Sequence, residues 1–259
     1  MTGEGRTAPL AIVTGGTKRV GAAIAARLAR EGYALALTSH SGSDPEDDLA
    51  AVLKAEETDW ELFDCDLSVT EETEALIGQV TTHFGRAPDL LVNSVSRFED
   101  DDWTDIEADH LDDLFAVNLY APVLLARALV RAAPDDSTPC IVHILDQRVR
   151  NPNRDQLSYT LSKQALAESV RTLAVQFGAR ARVGGVAPGL VLPTDDYEEG
   201  QLDYIAGKMP LGVLPDPEDI AQAVFYLARA RAVTGQTIFV DGGAHLTHFS
   251  RDFVHMKPS

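Results

Sequence analysis

The 259-residue sequence is short of cysteine, short of positive charge and without long apolar runs, and each shortage excludes something. Its two cysteines, Cys65 and Cys140, fall in apolar stretches that read as buried strands and have no CxxC partner. That argues against a disulfide framework and for reduced core thiols in a cytosolic protein. Lys and Arg total 22 against 40 Asp and Glu, a net charge of −18. Nucleic acid and anionic membranes repel such a chain, so neither is expected as a partner, and an anionic ligand needs a local positive site. The opening stretch MTGEGRTAP has no apolar signal core, and no apolar run approaches membrane-spanning length. A cytoplasmic location is expected. The seven histidines show no HExxH and no paired Cys/His spacing, so no metal site is expected, even where His245 and His248 stand three apart.

What is present is alternation. The apolar run 9–14 ends in Gly15-Gly16-Thr17-Lys18-Arg19-Val20-Gly21, after which Val20, Ile24 and Leu28 share one helical stripe closing at Gly32. Strand, glycine-rich turn and helix together let backbone N–H groups approach a phosphate. Further strands are expected at 33–38, 60–65, 89–93, 140–145, 182–187 and 236–240. Helices are expected after an Asp44-Pro45 cap, at 70–84, at 107–132, from near Gln156, and at 217–229. The polar stretch 194–208 reads as an irregular flap on the substrate side. The tail 244–259 carries Phe249, Phe253 and Met256, which need an apolar surface, and a neighbouring subunit would supply one. No linker or internal repeat divides the chain. The expected fold is α/β: a single Rossmann-type domain over 1–259, a doubly wound parallel sheet of about seven strands flanked by helices on both faces.

Such a sheet brings the ends of its strands to one edge, so Gly15 to Gly21, Asn93 to Ser96, Asp146 and Tyr159 should converge there. Tyr159 and Lys163 stand at i and i+4 and share a helix face. An ammonium near a phenol stabilises the phenolate and makes tyrosine a usable proton donor near neutrality. Asp146 contributes differently. An ionised carboxylate only accepts hydrogen bonds, which suits a substrate edge rich in N–H, and its charge opposes ionisation of Tyr159.

The segments TGGTKRVG at 14–21, CDL at 65–67, VNSVS at 92–96, VN at 117–118, YTLSK at 159–163, APG at 187–189 and VDGG at 240–243 follow in a fixed order. In these the chain resembles the short-chain dehydrogenase/reductase family over nearly its full length. The resemblance implies that Tyr159 is the proton donor, that Lys163 holds the nicotinamide ribose and lowers the Tyr159 pKa, and that Asn118 orders a water relay. It also implies a cofactor site of Gly15, Thr17, Lys18, Arg19, Val20, Gly21, His40, Asp66 (at the adenine), Leu67, Asn93, Ser94 and Val95. Tyr159, Lys163, Pro188, Gly189, Leu190 and Val191 complete it. The second strand ends at Ser39 rather than at the acid usual in NAD-specific members, and Lys18, Arg19 and His40 can meet a 2′-phosphate. NADPH is therefore expected.

Departures from the family pattern narrow the reading. Arg19 stands where most members have glycine, and Asp146 where most have serine. Both changes, the thirteen-residue step from Asp146 to Tyr159, and Phe98 after the fourth-strand motif resemble the pteridine reductase branch, which includes bacterial dihydromonapterin reductases. By that resemblance Arg19 bridges cofactor phosphate and pterin, and Phe98 stacks the pterin on the nicotinamide. Ser96, Asp146 and Tyr159 complete the substrate set, and the assembly is a homotetramer. Two further departures are Asn93-Ser94-Val95-Ser96 in place of Asn-Asn-Ala-Gly, and Gly184 in place of Asn. The expected activity is NADPH-dependent reduction of a dihydropterin such as dihydromonapterin or dihydrobiopterin, or of dihydrofolate. Reduction of an unrelated ketone or quinone is one alternative. A non-catalytic NADPH-binding sensor is another, against which the intact Asn118, Tyr159 and Lys163 set weighs. Glu99-Asp100-Asp101-Asp102 follows Phe98 and is expected either to rim the pocket, disfavouring the folate carboxylate tail, or to lie in a solvated loop.

Overall fold

Seven short runs of apolar residues form the strands of one sheet: β1 Leu10–Val13, β2 Ala34–Ser39, β3 Trp60–Asp64, β4 Leu90–Asn93, β5 Cys140–Ile144, β6 Arg182–Pro188 and β7 Gln236–Val240. The computed structural model describes residues 8–40, 42–193 and 197–257, and within these all the strand pairings are parallel, in the order β3-β2-β1-β4-β5-β6-β7. The N-terminal stretch 1–7, Ser41, the first residues of the expected flap (194–196) and the last two of the tail lie outside the described residues. The order reverses between β1 and β4, and a ligand crevice in such a sheet opens at the carboxyl ends of the strands on either side of that point.

Successive strand residues point to opposite faces, so each strand feeds two cores. Leu10, Ile12, Leu91 and Ile141 pack against α3 Thr70–Phe84, α5 Ala121–Ala132 and α6 Leu157–Phe177. Ala11, Val13, Val92 and Val142 pack against α1 Arg19–Arg30, α2 Asp47–Ala55 and α8 Pro217–Arg229. Burial on both faces is why β1, β2, β4 and β5 are buried along their whole length, whereas the edge strands β3 and β7 are only partly covered and carry polar residues.

Five expectations are corrected. The helix after β2 starts at Asp47, not behind an Asp44-Pro45 cap, because Glu46 is held against the glycine-rich turn: its N–H donates to Thr17 O (3.0 Å) and its carboxylate accepts from Arg19 N (3.1 Å). The expected single helix at 107–132 is instead α4 Ala108–Phe115, a π-helical turn Ala116–Tyr120, and α5. That run is also, contrary to expectation, long and apolar enough to span a membrane, with a mean hydropathy of 1.5 over its best window. Its buried residues Leu114, Val117, Leu125 and Leu129 are fully or almost fully covered within the domain, which explains the apolarity without a membrane. The polar stretch near 194–208 is not irregular throughout, since it contains the short helix α7 Gln201–Ala206, whose Ile205 is fully buried. The tail finds its apolar surface on its own chain, where Phe253 joins Ile205, Met209 and Ala244, with Phe249 and Met256 packed alongside.

Candidate active site

Thr14, one residue past β1, ties the crevice together. Its N–H donates to Val92 O (3.0 Å), and its hydroxyl oxygen accepts from Ser94 N (2.9 Å) and Val95 N (3.3 Å). The turn that follows needs glycine at defined points. Gly15 has φ +61, and a Cβ on Gly21 would lie 2.1 Å from Gly15 O. Thr17 is buried, Lys18 is the residue preceding α1, and Val20 and Gly21 lie in its first turn. Arg19 sits at φ +54, a left-handed backbone that favours glycine, which accounts for glycine being the family's usual residue there.

The adenine-side residues are also placed. His40 lies 3.5 Å from Asp66, whose carboxylate accepts from the Ser68 hydroxyl (2.7 Å) and is held below the usual range chiefly by that bond. Leu67 is buried in the core. Asn93, buried at the end of β4, faces His143 on β5 at 3.0 Å. Gly189 donates its N–H to Val240 O (2.9 Å), and a Cβ there would press on Asp241 at 2.8 Å. Leu190 packs on the tail cluster, and Val191 on the α1–α8 side.

At the centre, the Tyr159 hydroxyl donates to Asp146 Oδ2 at 3.0 Å. Asp146 Oδ1 accepts from the Arg148 backbone N (2.8 Å) and from its Nε (3.2 Å). Lys163 Nζ donates to Ile144 O at 2.9 Å and lies 5.8 Å from the Tyr159 ring centroid. Burial pushes Lys163 down to about 8, with Asp146 opposing the shift. Tyr159 moves the other way from the simple expectation. Burial first and the Asp146 charge second hold its phenol well above its ordinary value, Arg148 pulls it back in part, and Lys163 has no leading share. The correction has two causes: the phenol is fully enclosed, and the charge bonded to its hydroxyl is a carboxylate rather than the ammonium.

Asn118 belongs to the π-helical turn and is fully buried. Its Oδ1 accepts from Arg97 N (2.8 Å), and its Nδ2 donates to Arg97 O (2.9 Å) and Ser162 Oγ (3.0 Å). The side chain assigned by resemblance to a water relay is thus engaged as a clamp on the segment carrying Ser96 and Phe98. Ser96 Oγ lies 3.4 Å from Asn118 Oδ1. Phe98, half exposed, meets the Tyr159 ring edge-on with centroids 4.8 Å apart.

Arg19 and Asp146 are not joined by an ion pair among the described residues. The cation on Asp146 is Arg148, two residues further along the chain. It is 5% exposed and also donates to Asp252 Oδ2 (2.6 Å) and Gln156 Oε1 (2.9 Å). Burial alone would lower its pKa, but Asp146, Tyr159 and Asp252 outweigh that and hold it charged. The signal for Arg148 was its place two residues after Asp146; Asp252 carried none. The acidic run is divided: Asp101 is buried and directed inward, whereas Asp100 stays exposed and Glu99 and Asp102 are partly so. Asp101 accepts from Ser158 N (3.1 Å) and from the Ser158 hydroxyl at the start of α6, and Asp100 accepts from Gln156 Nε2 (2.7 Å).

A parallel doubly wound sheet with a glycine-rich turn after β1, and with Tyr, Lys and Asn side chains gathered at its carboxyl edge, defines a nucleotide-dependent oxidoreductase. Residues 16–245 match a family model described as enoyl-(acyl carrier protein) reductase. The chain belongs to the short-chain dehydrogenase/reductase family and is an oxidoreductase. It is 32% identical to pteridine reductase 1 of Leishmania tarentolae, covering 93% of this chain and 98% of that one. It is 31% identical to the 3-oxoacyl-[acyl-carrier-protein] reductase FabG of Pseudomonas aeruginosa, covering 92% and 98%. Among solved structures it is similar to FolM alternative dihydrofolate reductase 1 from Brucella canis complexed with NADP, with 34% identity, a TM-score of 0.84 and coverage of 92% and 95%.

Proposed function

We propose that the protein is an NADPH-dependent reductase of a dihydropterin. The observation that carries the reading is the Tyr159 hydroxyl bonded to Asp146 at the serine position. A serine hydroxyl there would donate to a ketone oxygen, whereas a carboxylate accepts from N–H groups such as those on a pterin edge. The pteridine reductase and FolM relatives support the same choice.

The cofactor fits the residues present. The turn from Gly15 to Gly21 is closed so tightly that a Cβ at Gly21 would collide with backbone, leaving N–H groups at the start of α1 to face a pyrophosphate. Ser39 ends β2 without a carboxylate, and Lys18 and His40 stand exposed beside it for a 2′-phosphate. Bound NADPH supplies the hydride. Tyr159, kept protonated at neutral pH by burial and by Asp146, delivers the proton at its hydroxyl. Asp146 Oδ2 orients that hydroxyl and accepts an N–H of the substrate, while Oδ1 stays fixed on Arg148. Phe98 offers the ring against which a flat substrate stacks.

The test is loss of NADPH absorbance against dihydropterins, dihydrofolate, simple ketones and a 3-oxoacyl thioester. Turnover of ketones or thioesters alone overturns the pterin reading, and NADPH binding with no turnover favours a sensor. Asp146→Ser should lower dihydropterin kcat/KM by about 100-fold, within the usual range for a proton-transfer group, and change NADPH affinity little. Equal losses in both would remove Asp146 from the chemistry.

The reading also carries a cytoplasmic homotetramer. Buried, unpaired Cys65 and Cys140 support the location, and exposed Tyr120 on the π-helical turn with Leu161 and Val175 on α6 supports the assembly. Light scattering should return four chain masses, and a monomer mass would overturn the assembly.

A further inference from the structure

Arg148 sits where four parts of the chain meet: the turn after β5, the residue before α6, the aromatic pair Phe98–Tyr159, and the tail. Its guanidinium fork gives Nε to Asp146, Nη1 to Gln156 and Nη2 to Asp252, and lies 5.1 Å from the Tyr159 ring centroid and 5.7 Å from that of Phe98. A lysine ammonium cannot span three partners in this geometry.

Asp252 is built in from the other side. Its Oδ1 accepts from Val254 N (3.0 Å), and its own N–H donates to Asp155 Oδ2 (2.7 Å), which Arg251 also holds at 2.9 Å. The tail is thereby fastened to residues 155 and 156, immediately before the helix that carries Tyr159. Gln156 has φ +51, an unfavourable backbone for a non-glycine residue, and its side chain is held between Arg148 and Asp100.

We infer that Arg148 is a positioning residue that couples the C-terminal tail to the proton-delivering pair, with Asp252 as its counter-anchor. Because Asp146 Oδ1 is taken up by Arg148, only Oδ2 is turned to Tyr159, which fixes the direction of that hydrogen bond. The tail then sets catalysis through charge as well as packing. The inference rests on Asp146 and Tyr159 as the reacting pair, and it holds for whichever substrate they reduce.

The charged groups around this point are Lys163 from α6, Asp252 and the Arg251–Asp155 pair from the tail side, and Asp100 and Asp101 from the loop after Phe98. The Asp241–His245 pair lies beyond, in the turn packed on residues 147–149. In this setting, loss of one cation makes every nearby proton harder to remove, and loss of one anion makes it easier.

The experiment is the pH profile of kcat for Arg148→Met, Arg148→Lys and Asp252→Asn in the full chain, with Tm as a check on folding, using whichever substrate the unmodified enzyme reduces. Arg148→Met should move the pH limbs upward by roughly one to three units. Asp252→Asn, which is isosteric, should move them downward by less. Arg148→Lys should leave the limbs near their original place while kcat falls by about tenfold or more from misplacement. A purely structural anchor would lower Tm and kcat in all three without moving the limbs. Unmoved limbs, or limbs moving the same way in Arg148→Met and Asp252→Asn, overturn the inference. Failure of the pterin reading leaves these directions intact.

Discussion

Arg19 and Gln156 both hold left-handed backbones, at φ +54 and φ +51, and both border the site. Such a backbone costs a non-glycine residue on the order of 1 kcal/mol, and bulky β-branched residues more. Arg19→Gly should therefore leave Tm within about 2 °C of the starting value, the relief of strain offsetting glycine's entropy. Arg19→Val should lower Tm by several degrees in the same melt. If Arg19→Gly were the less stable of the two, the strain argument would fail. His143 offers a second check at this scale. Burial, then the nearby Lys163 charge, push it down to about 3, against roughly 6.5 in an unfolded chain. Below about pH 6.5 the unfolded chain binds a proton that the native one refuses until about 3, so native stability falls with pH across that window. His143→Asn should flatten the acid side of the Tm–pH curve, and parallel curves would show that His143 has no share in it.

Among the elements, α6 carries the most chemistry and has an unusual start. Its first N–H groups are served by Asp101, from a loop more than fifty residues earlier, and not by a neighbour in sequence. Asp101→Ala should cost about 1–2 kcal/mol, the usual range for a lost cap, and lower Tm by about 2–4 °C per kcal/mol in a domain of this size. An unchanged melt would show that solvent caps the helix equally well. The elements differ in how openly the sequence displays them. Pro217–Arg229 carries a local signal in the capping box of Asp216 and Asp219, and Thr70–Phe84 in Gly85, which ends it in a left-handed turn. Tyr159 and Lys163 were legible from spacing and motif order. The Asp44-Pro45 cap was a sound local signal that lost to Glu46 docking on the glycine-rich turn, a contact made across the chain. Arg148 with Asp252, and Asp101 with Ser158, lie 104 and 57 residues apart, and no periodicity links residues at such separations.

At the scale of the whole molecule, a charge of −18 on 259 residues repels itself. Added salt screens that repulsion within about 10 Å at 0.1 M, so Tm should rise between low and moderate salt. A fall would mean that the ion pairs around Arg148 and Asp155 outweigh the general repulsion. The sheet divides the interior into two separate layers, and the cysteines are distributed between them. Cys65 lies in the layer under α3, α5 and α6, and Cys140 in the layer under α1 and α8. Burial, the larger cause at each, pushes both thiols up to about 11, so neither reacts readily in the native fold. The chain thus carries its own pair of clocks: the order in which a thiol reagent reaches Cys65 and Cys140 reports which side of the sheet opens first.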